Sequence, residues 1–387
     1  RFCQVTGVQT CALPIFVIPT LDQGGAERSM IQLANGLARE GFDATLVTAL
    51  HADGVYRCEV TAPLVDLSAG RQRHIPRALH RYMKSASPDI VVTALINNWV
   101  LGLHAIMRYP ARIVISERTF FSGFMAERGG VLSKLTTALS RLLYRNADRI
   151  VAVSHGVADD LAATGLARRE QLRVIYNPVI SEAFEAMRKE PASQALLAVD
   201  RPNFIAVGRL SEPKNYPDMF RAFALVRKKV PCRLVVLGEG ASRPHLEELV
   251  DELGLRTDIS MPGFVRNPFP YVERADCFVM SSKREGLPGS LVQALACGTT
   301  VVSTDCRSGP DEILEGGKYG TLVPVGDVQA LAEAMLRALE HPFPAESLRD
   351  RAAFFSEKNC IEAYGALFDE LLCQRSEERR VGKECRS

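Results

Sequence analysis

The stretch 281–314, SSKREGLPGSLVQALACGTTVVSTDCRSGPDEIL, leaves few folds open to this chain. The apolar run FVM up to Ser281 ends a strand, EGLPG (285–289) makes a loop, and residues 290–297 form a short helix stopped by Gly298. The β-branched run 299–303 is the next strand, and the loop DCRSGP then opens another helix at Asp311. This order belongs to an open parallel sheet, in which ligands collect at the carboxyl ends of strands beside helix N-termini. Gly286 and Gly289 let backbone N–H groups approach a ligand closely, and the helix start that follows favours anions. Glu285 stands beside them as an acceptor for hydroxyl groups. A loop offering N–H donors to phosphate and a carboxylate to hydroxyls suits a nucleotide-sugar.

The same alternation runs through the whole chain. Strands are expected at 44–48, 63–66, 89–95, 111–116 and 149–154, with helices at 75–85 and 132–145. Later strands are expected at 204–207, 233–237, 277–280 and 320–324, with helices at 245–253 and 271–275, a helix over 328–339 capped by Asp327, and a last helix over 354–372. Phe16 to Pro19 is the remnant of a first strand, and it runs through LDQGGAER into a helix ending near Glu40. Strand, Gly24-Gly25 turn and helix together make an anion-cradling arrangement. Farther on, Gly208 and Arg209 follow a strand, and Lys214 lies in the same loop with four residues between it and Arg209. Two cations so placed fit a diphosphate, Arg by bidentate contact and Lys as a point charge. No GxGxxG occurs at the first turn, which counts against a dinucleotide-dependent oxidoreductase.

Both ends read as foreign to the protein. VTGVQTCALPI (5–15) and RSEERRVGKECRS (375–387) look like translated sequencing adapters, so residues 1–15 and 375–387 are set aside. The remainder divides into 16–178, 179–355 and a crossover helix at 356–374. Residues 16–180 carry 19 Lys/Arg against 14 Asp/Glu, a net of +5, and residues 181–374 carry 22 against 28, a net of −6. A basic first half fits a domain facing an anionic membrane or a diphosphate-linked acceptor, and equally a chance asymmetry of solvated faces. Basic residues cluster around the helix at 75–85 (Arg71, Arg73, His74, Arg77, His80, Arg81, Lys84), which could touch lipid headgroups or be a solvated helix face. Seven cysteines outside the two ends are scattered without CxxC spacing, which argues for a reducing cytoplasm and against a metal site.

EGLPGSLVQAL, GGAER, SER (116–118) and DCRSGP together resemble the retaining glycosyltransferases of family 4 over roughly 16–373. The resemblance implies a GT-B fold: two Rossmann-like parallel-sheet domains facing a cleft, with a C-terminal helix returning to the first domain. It implies a donor site built from Gly24, Gly25, Gly208, Val265 (a backbone contact near the base), Gly286, Leu287 and Pro288. Arg209 and Lys214 would hold the diphosphate and Glu285 the sugar. Members of the family carry a second Glu eight positions after the first, and this chain has Gln293 there. Gln keeps one acceptor oxygen for a ribose and gives up the charge. Many members place a His near residue 117; this chain instead has Glu117 and Arg118, the candidates for the acceptor side. A structural ion pair is the alternative reading. Asn177 and Pro178 match the interdomain crossing.

What the resemblance implies is sugar transfer from a UDP-hexose or UDP-N-acetylhexosamine to a glycan or polyprenyl-diphosphate-linked acceptor in bacterial cell-surface polysaccharide assembly. Retention of configuration, no cofactor, no metal ion and no nucleic-acid partner belong to that expectation. So does a cytoplasmic location with peripheral contact at the inner face of the membrane. The rivals are a non-catalytic nucleotide-sugar-binding subunit, which Gln293 keeps open, and another GT-B enzyme such as a sugar-nucleotide epimerase.

Overall fold

A computed structural model of the chain describes residues 12–22, 24–191 and 196–384. They form two compact units. The first holds the chain up to Val153, then Val157–Pro178 and everything from Glu357 on; the second holds Ser154–Gly156 and Val179–Ser356. Of the two ends read as adapter, residues 1–11 and 385–387 lie outside the described residues, as does Gln23 of the Gly-Gly turn.

The first unit is built on parallel strands β1 (Pro14–Ile18), β2 (Thr45–Thr48), β3 (Leu64–Asp66), β4 (Ile90–Thr93), β5 (Arg112–Glu117), β6 (Arg149–Ala152) and β7 (Leu172–Val174). Their order across the sheet is β3-β2-β1-β4-β5-β6-β7. Runs such as IFVI and IVVT are apolar at nearly every position because helices cover both faces, so no in-out alternation survives. Strand order reverses between β1 and β4. Right-handed crossovers therefore send helix Gly25–Arg39 to one face and helices Ile75–Ala86, Asn97–Met107 and Gly130–Tyr144 to the other. Those three pack side by side in chain order.

The last helix, Glu357–Glu384, belongs to this first unit, as the resemblance implied. Its Tyr364, Leu367, Phe368 and Leu371 are buried with Phe16 of β1 and Met30, Leu33 and Leu37 of helix Gly25–Arg39. Phe16 and Phe368 place their ring centroids 6.5 Å apart. Glu357 pairs with Arg39, and Glu370 with Arg149 and Arg173.

The second unit repeats the plan with β8 (Asn203–Val207), β9 (Arg233–Leu237), β10 (Ile259–Gly263), β11 (Cys277–Met280), β12 (Val301–Thr304) and β13 (Thr321–Val323). All pair in parallel, in the order β10-β9-β8-β11-β12-β13, with the reversal between β8 and β11. Phe204 of β8, Leu234 and Val236 of β9, and Phe220 and Phe223 of helix Tyr216–Arg227 lie in its core.

Several elements differ from the sequence reading. The stretch after Glu117, for which no element is expected from the sequence, is helical over Phe121–Arg128. Its start is held from a distance: Asp160 accepts the Ser122 N–H at 3.0 Å, a cap supplied 38 positions away. Helices Asn97–Met107 and Tyr216–Arg227 and the short β7 were not anticipated. β1 starts at Pro14, inside the stretch read as adapter, and the last helix continues past 374. No helix among the described residues is long and apolar enough to cross a membrane.

Candidate functional site

The reversal between β8 and β11 places the loops after these two strands side by side at the carboxyl edge of the second sheet. The first carries Gly208, Arg209 and Lys214; the second carries Glu285, Gly286, Leu287 and Pro288 and feeds helix Gly289–Cys297. Several bonds stitch the two together. Ser281 donates its hydroxyl to the carbonyls of Lys214 and Asn215, both at 2.9 Å, and the Lys283 N–H reaches Pro213 O at 2.8 Å. Lys214 ends a single 3₁₀ turn, Glu212–Lys214, and Asn215 follows in the left-handed region at φ 51°, which turns the chain into helix Tyr216–Arg227. Tyr216 then donates back to Gly208 O at 3.1 Å.

The consequence is a direct ion pair. Lys214 Nζ stands 2.6 Å from Glu285 Oε1, and the Ser282 hydroxyl donates to that same oxygen at 2.6 Å. Lys214 is 25% exposed and Glu285 12%, so both groups are partly withdrawn from water while still reachable. Arg209 is exposed on the same loop. Burial, helped by the charge of Glu285, pushes the Tyr216 phenol far up, so it stays a neutral donor. Cys306, just beyond β12, has its thiol pushed up to about 12 by burial and then by Glu285.

The loop 286–288 is propped from below. Ser308 donates to Gly286 O at 2.8 Å, and Thr304 of β12 donates to Ser282 O at 2.7 Å. Gly309, at φ 95°, packs where a Cβ would come within 2.4 Å of Pro288 Cδ, so neither its conformation nor the space admits a side chain. Leu287 and Pro288 are buried, and Gly286 is half-buried. Gln293 lies half-buried on helix Gly289–Cys297, and its amide makes no hydrogen bond among the described residues. Val265, half-buried, follows the end of β10.

The remaining candidates lie in the first unit. Gly24 is the extended N-cap of helix Gly25–Arg39, and the Glu27 carboxylate occupies the space beside it, 2.0 Å from where a Cβ on Gly24 would sit. The helix start thus already faces one anionic group of its own. Glu117 ends β5 and is buried. Its Oε2 accepts from Tyr144 at 2.8 Å and from Asn97 Nδ2 at 3.3 Å, and burial raises its pKa, with those bonds opposing. Arg118 donates to Asn177 Oδ1 at 2.6 Å and contacts the Met30 sulfur at 3.2 Å, while burial pulls its pKa down. The two neighbours therefore face different partners, and Asn177 holds Arg118.

Sequence reasoning found Arg209, Lys214 and Glu285 but not the residues that fix them: Tyr216, Ser281, Ser282, Thr304 and Ser308. A hydroxyl on its own carries no local signal. Four of these five sit at the carboxyl ends of β11 and β12 or in the loop after them, and that position is the clue that could have found them.

The family model described as Glycosyltransferase Family 4 matches residues 23–182, and the one described as Glycosyl transferases group 1 matches residues 201–341. Over 337 residues the chain is 28% identical to a lipopolysaccharide core biosynthesis glycosyltransferase of Rhizobium meliloti, covering 85% of this chain and 88% of that one. Over 255 residues it is 29% identical to the N-acetylgalactosamine-N,N'-diacetylbacillosaminyl-diphospho-undecaprenol 4-alpha-N-acetylgalactosaminyltransferase of Campylobacter jejuni, covering 66% of this chain and 68% of that one. A shorter match, 30% identical over 188 residues, spans 46% of an uncharacterized glycosyltransferase of Methanocaldococcus jannaschii. Among solved structures, HepE of Anabaena in complex with UDP superimposes with a TM-score of 0.75 at 18% identity, covering 93% of this chain and all of that one. That likeness is one of fold, the GT-B architecture.

Proposed function

We propose that the chain, matched by glycosyltransferase family models over 23–182 and 201–341, is a family 4 glycosyltransferase that moves a sugar from a nucleotide-sugar to a glycan or polyprenyl-diphosphate-linked acceptor in bacterial cell-surface polysaccharide assembly. The donor we favour is a UDP-hexose or UDP-N-acetylhexosamine. One observation carries the reading: Lys214 and Glu285 meet at 2.6 Å where strand order reverses, with Arg209 on the same loop as Lys214.

That arrangement supports a division of labour. Arg209 and Lys214 neutralise the leaving diphosphate, aided by the N-terminus of helix Gly289–Cys297. Glu285 turns from Lys214 to the sugar hydroxyls once phosphate supplies the ammonium with its counter-charge. Gln293 offers its amide oxygen to the ribose. In the retaining route we favour, the acceptor hydroxyl attacks the anomeric carbon from the face the diphosphate leaves. The bond from that carbon to the phosphate oxygen breaks as the new glycosidic bond forms, and the acceptor proton passes to the departing phosphate. Cationic side chains do the work of charge neutralisation in this scheme, with no metal ion assigned to it. Glu117 and Arg118 are assigned to the acceptor side, and a peripheral position at the inner membrane face follows from a lipid-linked acceptor.

The test is calorimetric titration of UDP, GDP and ADP into the protein and its Arg209→Ala variant, followed by assay of nucleoside diphosphate release from matching sugar donors. Tight binding of one nucleotide that the variant loses, with turnover, supports the proposal. Binding without turnover on any acceptor would favour the nucleotide-sugar-binding subunit, a reading that Gln293 also permits.

A further inference from the structure

Two neighbouring helices of the first unit turn large apolar side chains to solvent. Val131, Leu135, Leu139 and Leu142 of helix Gly130–Tyr144 and Ile106 of helix Asn97–Met107 are between 50% and 79% exposed. In the first helix the spacing of four, four and three residues puts all four on one side. In the second, Trp99 lies two turns before Ile106 and is itself partly exposed. The sides facing the unit are separately satisfied, with Val100, Leu101 and Tyr144 buried. The helices are also locked together: Asn98 Nδ2 donates to Ser140 Oγ at 2.9 Å, and Asn97 Nδ2 to Tyr144 OH at 3.2 Å. The result is a fixed apolar plate of five exposed Leu, Ile and Val side chains on two packed helices.

Its charge says what covers it. Neither helix contains an Asp or Glu, and Lys134, Arg141, Arg145 and Arg108 are exposed in or just past them. The adjoining helix Ile75–Ala86 extends the same face with exposed Arg77, Arg81 and Lys84, but its own apolar residues Ile75, Leu79 and Met83 are buried. The basic cluster noted in the sequence therefore has nothing to insert, and the apolar residues lie one and two helices along. A second copy of this chain would bring like charges together around the plate. An anionic surface with an apolar interior satisfies both features.

We propose that helices Asn97–Met107 and Gly130–Tyr144 dock the protein on an anionic phospholipid surface, Leu135, Leu139 and Leu142 entering the interface and the flanking cations meeting headgroup phosphates. The inference rests on the lipid-linked acceptor of the proposed function for its purpose, though not for its observations.

Trp99 is the single tryptophan of the chain, so its fluorescence reports this face alone. The experiment mixes the full chain with vesicles of equimolar phosphatidylcholine and phosphatidylglycerol, with bromine on the acyl chains, and with phosphatidylcholine vesicles alone. Quenching of Trp99 by the anionic vesicles is expected. Leu135→Ser, Leu139→Ser and Leu142→Ser combined should weaken co-sedimentation about tenfold, with an unchanged thermal melt as the check on folding. Lys134→Gln with Arg145→Gln, which removes two exposed positive charges, should weaken binding to anionic vesicles and flatten its salt dependence. Absence of quenching, or equal sedimentation of the Leu variant, overturns the proposal. So does a dimer in light scattering that the Leu variant dissociates. Vesicle binding without UDP binding would instead sink the donor reading and leave the docking face standing.

Discussion

The Lys214 ammonium and the Glu285 carboxylate satisfy each other at 2.6 Å, so each of the two groups proposed to hold the donor is the other's partner in the structure. Removing one should therefore have opposite effects on binding and on turnover. On the proposed reading Lys214→Ala takes away a phosphate contact, and it is expected to weaken UDP binding about 10–100-fold, the worth of a charge-assisted hydrogen bond. Glu285→Ala frees the ammonium for phosphate, so UDP should bind as well or better, while transfer falls about 10²–10³-fold for want of the group that orients the sugar. Calorimetry beside a turnover assay separates the two. Near-normal turnover in Glu285→Ala would remove that residue from the site.

Gln293 makes a second, milder case. Its amide oxygen can accept from a ribose hydroxyl, and a carboxylate in its place would accept more strongly. Gln293→Glu is expected to leave the fold intact and to bind UDP as well as the parent or up to about tenfold more tightly. A clear loss of UDP affinity would mean that the ribose is held elsewhere.

Glu117 supplies a pH dependence with a definite sign. Burial raises its pKa above the unfolded value, so the folded protein holds this proton more tightly than the unfolded chain does. The corresponding stability is fully present below the ordinary glutamate pKa and is lost as pH rises through the raised one, at up to about 1.4 kcal/mol per pH unit. Glu117→Gln removes that loss. Its amide oxygen can still accept from Tyr144 and Asn97, while its NH₂ meets the backbone N–H groups of Arg118 and Thr119 that the carboxylate accepts from, a cost that does not change with pH. Thermal melts from about pH 4 to 8 should show the variant gaining on the parent as pH rises. Parallel curves would place Glu117 in contact with a compensating charge.

Much of this fold was legible because its strands are short apolar runs alternating with helical segments along the chain. RLVVL (Arg233–Leu237) and CFVM (Cys277–Met280) were read with their observed bounds. Helix Asn97–Met107 escaped because its exposed Trp99, Ile106 and Met107 blur the apolar period that marks a helix. Phe121–Arg128 escaped because its N-terminal cap, Asp160, comes from another element. At the site, Arg209, Lys214 and Glu285 were read as ligand groups from their loops. The pairing of Lys214 with Glu285 spans 71 positions and exists only because the sheet reverses between β8 and β11, which no local pattern states.

The returning helix invites a test of how closely it must pack. Gly36 lies in helix Gly25–Arg39 against Ile361, and a Cβ there would stand 2.2 Å from Ile361 Cδ1 and 2.9 Å from its Cγ1. Alanine favours a helix interior over glycine by about 1 kcal/mol. Overpacking a filled core costs about 1–3 kcal/mol, and the contact here is close enough for that cost to prevail. Gly36→Ala is thus expected to lower the melting temperature of the parent. Ile361→Val alone deletes Cδ1 and should cost about 0.5–1.5 kcal/mol. Combined, the two should cost less than their sum, because the deleted methyl vacates the space the new one needs. Strict additivity would mean that Ile361 swings clear unaided, and that the two helices tolerate a wider spacing than Gly36 allows them.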